Sequence, residues 1–214
     1  MAVIHRTTLT PTKLELLSAW LPSRPWYHGD AKPQLARAGG FRLDDPEGEV
    51  GIEFMVVTDT SGREPATYLV PLTYRGAPLD AARDALLGTP EHGVLGKRWV
   101  YDGCHDPVLV AELAALFEGK AEPQAQSLTD TPDREVGGVY AGQDPVPARF
   151  GTVTETEEGT ELSAPGGTRL RVLRRPRPEP AEAGAVGHVS GAWEGPGGTR
   201  VRGVFFELLA TPEA

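Results

Sequence analysis

Five residues in the first hundred could contact a ligand or partner. Arg24, Trp26 and Tyr27 stand together in SRPWY, and Arg98 and Trp99 stand together in KRWV. Flat aromatic faces beside guanidinium groups stack on sugar rings or anchor a protein partner, and the same large rings also serve as core material, which is the role expected for most of them. His92, Cys104, His105 and Asp106 are the densest set of metal-ligand types, but they lack the i, i+4 or C-x-x-C spacing of a zinc site, so no metal is expected. No serine stands in G-x-S-x-G, and Cys104 has no sequence feature that would activate a thiolate.

Phosphoryl transfer needs a base, magnesium ligands, a lysine and a glycine-rich cover on the phosphates. His28-Gly29-Asp30 supplies an aspartate of the right type, yet the position five residues on, where a metal-binding asparagine would stand, is Leu35. GTPEHGVLGK has glycines and a lysine but not the order of a phosphate-binding loop, because Val94 follows Gly93. Neither segment supports catalysis, and no cofactor signature is found elsewhere. Arg169, Arg171, Arg174, Arg175 and Arg177 make the only basic cluster. It reads as a charged strand edge that discourages sheet-to-sheet pairing.

The elements that must position these residues follow from periodicity. Thr12 and Glu15 have capping-box spacing and open a short helix to about Leu21, with Leu14, Leu17 and Leu21 on one face. Between about residues 40 and 75 the period becomes two. Val50, Ile52, Phe54 and Val56 share one strand face, and Tyr68, Val70 and Leu72 repeat the pattern after a turn. Pro71 would remove a ladder donor, which places it at an edge or a bulge. Helices are expected at about 78–87, from Leu79, Ala82, Leu86 and Leu87, and from Asp106-Pro107 to Gly119. Residues 120–147 are proline-rich and aperiodic, and short alternating segments follow. The expected fold class is therefore α+β: a small antiparallel sheet packed by about three helices over 1–119, a linker or long loop over 120–147, and a β-rich region over 148–210.

These segments, in order, resemble the N-terminal cap of actinobacterial maltokinases and related sugar kinases. The resemblance rests on Leu17, Trp20, Leu21, Arg24, Trp26 and Tyr27 in LLSAWLPSRPWY, on TYLVPLTYR at 67–75, and on Val100, Tyr101 and Asp102 with Asp106 and Pro107. It spans about residues 12–118. It implies a cap set beside the nucleotide lobe of a maltose-phosphorylating kinase of glycogen and trehalose metabolism, whereas the motifs of the lobe itself are not found. The expected role is thus non-catalytic: binding to, or regulating, an enzyme of α-glucan, maltose or trehalose metabolism. The alternative is a module that binds a sugar or sugar phosphate through Arg24, Trp26, Tyr27, Arg98 and Trp99.

Composition narrows the partners. The 214 residues carry a net charge of -9, split as 11 basic against 16 acidic residues up to Gly119 and 10 against 14 beyond it, so neither half has the basic surplus of a nucleic-acid grip. No apolar run reaches the roughly 18 to 20 residues of a membrane span. The opening MAVIHRTTLTPTK lacks a secretory stretch, and Cys104 is alone, so no nucleic acid, no membrane and a cytoplasmic location are expected. The 26 glycines and 20 prolines announce many turns.

Overall fold

The alternation at Val50, Ile52, Phe54 and Val56 sends all four side chains into one apolar core, and Tyr68, Val70 and Leu72 enter another. This computed structural model describes residues 9–128, 131–178 and 180–210. The opening residues 1–8, read above as lacking a secretory stretch, lie outside the described residues. In chain order, β1 (Leu9–Thr10) leads into α1 (Lys13–Trp20), and β2 (Leu35–Asp44), β3 (Gly51–Asp59) and β4 (Ala66–Arg75) form a meander. Next come β5 (Leu86–Gly88), β6 (Glu91–His92), β7 (Gly96–Lys97) and β8 (Trp99–Asp102), then α2 (Pro107–Phe117). The chain continues through β9 (Gln124–Ala125), β10 (Gly137–Tyr140), β11 (Thr152–Thr156), β12 (Gly159–Ser163), β13 (Arg169–Pro178), β14 (Ala185–Glu194) and β15 (Arg200–Leu209).

Twelve of these strands form one antiparallel sheet in the order β11-β12-β13-β15-β14-β2-β3-β4-β8-β5, with β10 on β14 and β9 on β2. The other three, β1, β6 and β7, make a small ribbon. The sheet curls enough to bring β13 and β4 close to one another, although the two strands do not pair. The α+β expectation is corrected by this sheet. Of the described residues, 45% are in strands and 16% in helical turns of any kind, so the architecture is mostly β, with short helices laid on a large sheet. Two causes account for the difference. The segment at 78–87 is a distorted 3-10 turn (Asp80–Ala85) followed by β5, because Leu86 and Gly88 pair with β8 and Gly88, Thr89 and Pro90 leave no room for another helical turn. In addition, β14 joins β2 at Trp193 opposite Gly39, which merges the C-terminal strands with the N-terminal meander.

Two expectations for local structure hold closely. Thr12 Oγ1 accepts from the Glu15 amide while Glu15 accepts from the Thr12 amide, which fixes the start of α1. Asp106 caps α2 by accepting from the Val108 amide, ahead of Pro107 at the first helical position. Pro71 sits one residue before the β4–β8 ladder begins at Leu72, where it withholds no bond from β8.

β3 is buried on both faces. Ile52, Phe54 and Val56 meet α2 (Leu109, Leu113, Leu116, Phe117) and the C-terminal Leu170, Val172, Phe205 and Phe206, while Met55 and Val57 meet α1 (Leu16, Leu17, Trp20). Each fully buried large side chain contributes about 1.5–3 kcal/mol of transfer free energy, so the first core dominates the stability of the sheet.

One buried carboxylate ties α1 to that sheet. Glu53, on the α1 side of β3, accepts from Lys13 Nζ at 2.5 Å, Tyr74 Oη at 2.6 Å and Gln126 Nε2 at 2.7 Å. Burial pushes its carboxyl up, but the Lys13 charge and the three hydrogen bonds outweigh burial and hold it below the usual carboxylate range. A carboxyl lowered in the folded state adds stability that is complete above its unfolded pKa of about 4.3 and is lost as pH falls through the folded value. Urea melts of the wild type should therefore lose midpoint as the pH drops below about 4, and Glu53→Gln should start lower at neutral pH and lose less on acidification. Parallel pH profiles for the two proteins would refute the assignment.

Candidate functional site

After α1, a 3-10 turn (Leu21–Ser23) and Pro25 swing the chain back so that Trp26 and Tyr27 enter the second core. The Trp26 ring lies 5.7 Å from Trp20 and 6.1 Å from Tyr68, and it is fully buried. Tyr27 is also buried. It stands 5.3 Å from Tyr68 and donates to Asp59 Oδ2 at 2.6 Å, and burial together with that bond raises its phenol well above the ordinary range. Arg24 remains half-exposed, with its guanidinium 4.9 Å over the Trp20 ring.

A second guanidinium completes this cluster from the far end of the chain. Between Val172 and Arg177 the β13–β15 register slips, five steps on β13 against two on β15, and Arg174 lies within this irregular stretch. Arg174 is fully buried. It lies 4.7 Å over the Trp26 ring, donates through Nε to Thr160 Oγ1 at 2.8 Å and through Nη2 to Cys104 Sγ at 3.3 Å, and is ion-paired with Asp102. Asp102 in turn accepts from the Cys104 amide. Glu155 on β11 closes the arrangement by accepting from Trp26 Nε1 and Arg24 Nη1, both at 3.0 Å. Burial raises the Cys104 thiol well above its ordinary value despite the Arg174 charge, so it stays protonated and is no nucleophile. Arg174 therefore corrects the reading of residues 169–177 as a uniformly charged edge. The missed signal was parity: Leu170, Val172 and Arg174 continue one inward-facing series at i, i+2 and i+4.

Arg98 and Trp99 lie elsewhere. Trp99 packs half-buried against a small core of Ala82, Ala85 and Tyr101, with Lys97 Nζ 5.2 Å over its ring. They adjoin the β6–β7 hairpin, whose tip exposes Val94 and Leu95. The five residues singled out in the sequence thus form two groups, one around the buried Trp26 with Arg24 half-exposed beside it, and one half-buried around Trp99.

The remaining constellations have structural tasks. In the His28-Gly29-Asp30 segment, the His28 amide donates to Tyr68 Oη and the Asp30 amide donates to Ser61 Oγ, so the tripeptide is a braced turn. Asp106 is held by Arg75 in a bidentate pair at 2.6 and 2.7 Å. Among the described residues no three His, Cys, Asp or Glu side chains converge to hold a metal, and no helix is long and apolar enough to cross a membrane.

Two surface hollows accompany these clusters. One, of about 550 Å³, lies between Cys104, His105, Asp106, Arg149 and Phe150. The other, of about 770 Å³, runs across β11, β12 and β13 beside Thr154, Glu157, Leu173 and Arg175.

Comparison with known families places one segment. Residues 20–106 match the maltokinase N-terminal cap domain. The matched stretch runs from the end of α1 through β8 to the cap of α2, and so contains Arg24, Trp26, Tyr27, Arg98 and Trp99 but not Glu155, Thr160 or Arg174. No curated protein matches the chain.

Proposed function

We propose, from the premise that residues 20–106 form a maltokinase N-terminal cap, that this chain is a non-catalytic binding or regulatory protein that docks to an enzyme of α-glucan, maltose or trehalose metabolism. The observation that carries this reading is where the matched segment goes next. Its strands continue through Trp193 opposite Gly39 into the β13–β15 ladder, and its aromatic centre is locked to Glu155 and Arg174, so the cap is completed from within its own chain. What it leaves exposed, the tip of the β6–β7 hairpin beside the half-buried Trp99, suits contact with a partner protein. A cytoplasmic setting fits the lone, buried and protonated thiol of Cys104.

A second reading, a sugar or sugar-phosphate module, is favoured by the half-exposed Trp99 ring beside Arg98. The purified chain incubated with maltose and ATP should yield no maltose phosphate; its accumulation would overturn the non-catalytic reading. Thermal shifts with maltose, trehalose, maltose phosphate and ATP separate the two readings, because a ligand selective for the folded state raises the melting temperature. A shift with one sugar that Trp99→Ala abolishes would replace docking by small-molecule binding.

A further inference from the structure

β11 (Thr152–Thr156) is the end strand of the large sheet, with β12 on one side of it and no strand on the other. Alternate residues of an end strand turn their amide and carbonyl groups away from the sheet, and among the described residues no backbone or side-chain group bonds to them. Sheet edges are ordinarily guarded. At the opposite end β5 is only three residues long and lies beside α1. β11 instead has five residues with neither lysine nor proline, paired with β12 from Thr152 to Thr156 without a bulge. Its one charged side chain, Glu155, is already held within its own copy by Arg24 and Trp26.

The side chains of β11 indicate what can lie against it. Thr152, Thr154 and Thr156 are exposed on one face, and Val153 and Glu155 are half-buried on the other. The backbone of an antiparallel edge is complementary to itself, so a second β11 can take the place of the missing neighbour. A twofold axis at Thr154 sets that residue opposite its own twin, Thr152 opposite Thr156, and Val153 opposite Glu155. Every exposed pair is then Thr on Thr, a residue favoured in strands and able to hydrogen-bond across them. The same register brings the Glu157 turn of each copy level with Gly151 of the other, close to where Arg149 leads into the strand. Arg149 and Glu157 are exposed, and neither has an ion pair among the described residues.

We propose that this chain forms a twofold dimer by pairing β11 with β11 of a second copy, so that the two large sheets become one. This inference does not rest on the proposed metabolic role.

Sedimentation velocity on the full chain tests it. The expected result is a mass that rises from monomer toward dimer with concentration, with a dissociation constant on the order of 10⁻⁴ M, as suits a contact of one short strand. Thr154→Lys and Thr154→Glu each set two like charges face to face, and each should weaken the association at least about tenfold. An equimolar mixture of T154K and T154E should associate again, because the axis sets the two side chains opposite each other. Circular dichroism reports whether the variants fold. Should either fail to, T154C tests the same contact, since mild oxidation should link two copies through residue 154 while the buried Cys104 stays free. A chain that stays monomeric up to about 1 mM overturns the proposal. So does a dimer that T154K leaves intact, a loss of association that mixing the two charge variants does not reverse, or a folded T154C that does not cross-link.

Discussion

Replacing Asp102 by alanine should destabilise the fold by about 3–5 kcal/mol, because it leaves the Arg174 guanidinium buried without its counter-charge. For a chain of this size that is a fall in melting temperature of roughly 6–20 °C. The effect belongs to the unpaired charge and not to a large net value of the pair, since removing two charges from water offsets much of their attraction. The double variant D102L/R174M should therefore recover most of the loss, because an unbranched apolar side chain still covers the Trp26 face on which the Arg174 guanidinium now lies. Chemical denaturation of the single and double variants measures this. If D102A melts within about 1 kcal/mol of wild type, as an exposed ion pair would, the pair does not hold the two ends of the chain together.

Truncating Phe54 to alanine should cost about 3–5 kcal/mol. Its ring stacks on Phe41 at 4.4 Å and meets Phe206 edge-on at 5.5 Å, so it joins the N-terminal meander to the last strand of the chain. The cavity would open between the two, and both should lose stability in the same transition. Far-UV circular dichroism and tryptophan fluorescence should give coincident melts in the wild type and in F54A, because Trp20 and Trp26 report one core and Trp193 the other. Separate transitions would mean that the first core does not couple the halves.

Much of the local structure is legible in the sequence alone. The Thr12 and Asp106 caps, the two faces of the β3–β4 meander and the buried character of α2 each depend on residues within a few positions of one another, where backbone sterics and solvent leave few choices. The cap resemblance was legible for the same reason, as a series of local aromatic and turn positions now matched over residues 20–106. The helix expected at 78–87 gives way to a 3-10 turn and β5 because its leucines satisfy a helical period and a strand pairing equally well, and β8 decides between them.

What the amino-acid sequence determined by itself was therefore the short-range order: caps, turns, strand faces and the cap-like series. Only the tertiary structure decided that these strands share one sheet, that Trp26 and Tyr27 are enclosed, and that Arg174 is a buried partner of Asp102. Such outcomes bring together residues dozens of positions apart, Arg174 with Asp102 and Glu155 with Trp26. A pairing at that separation is selected by the summed burial of a whole core, which no local window of residues contains.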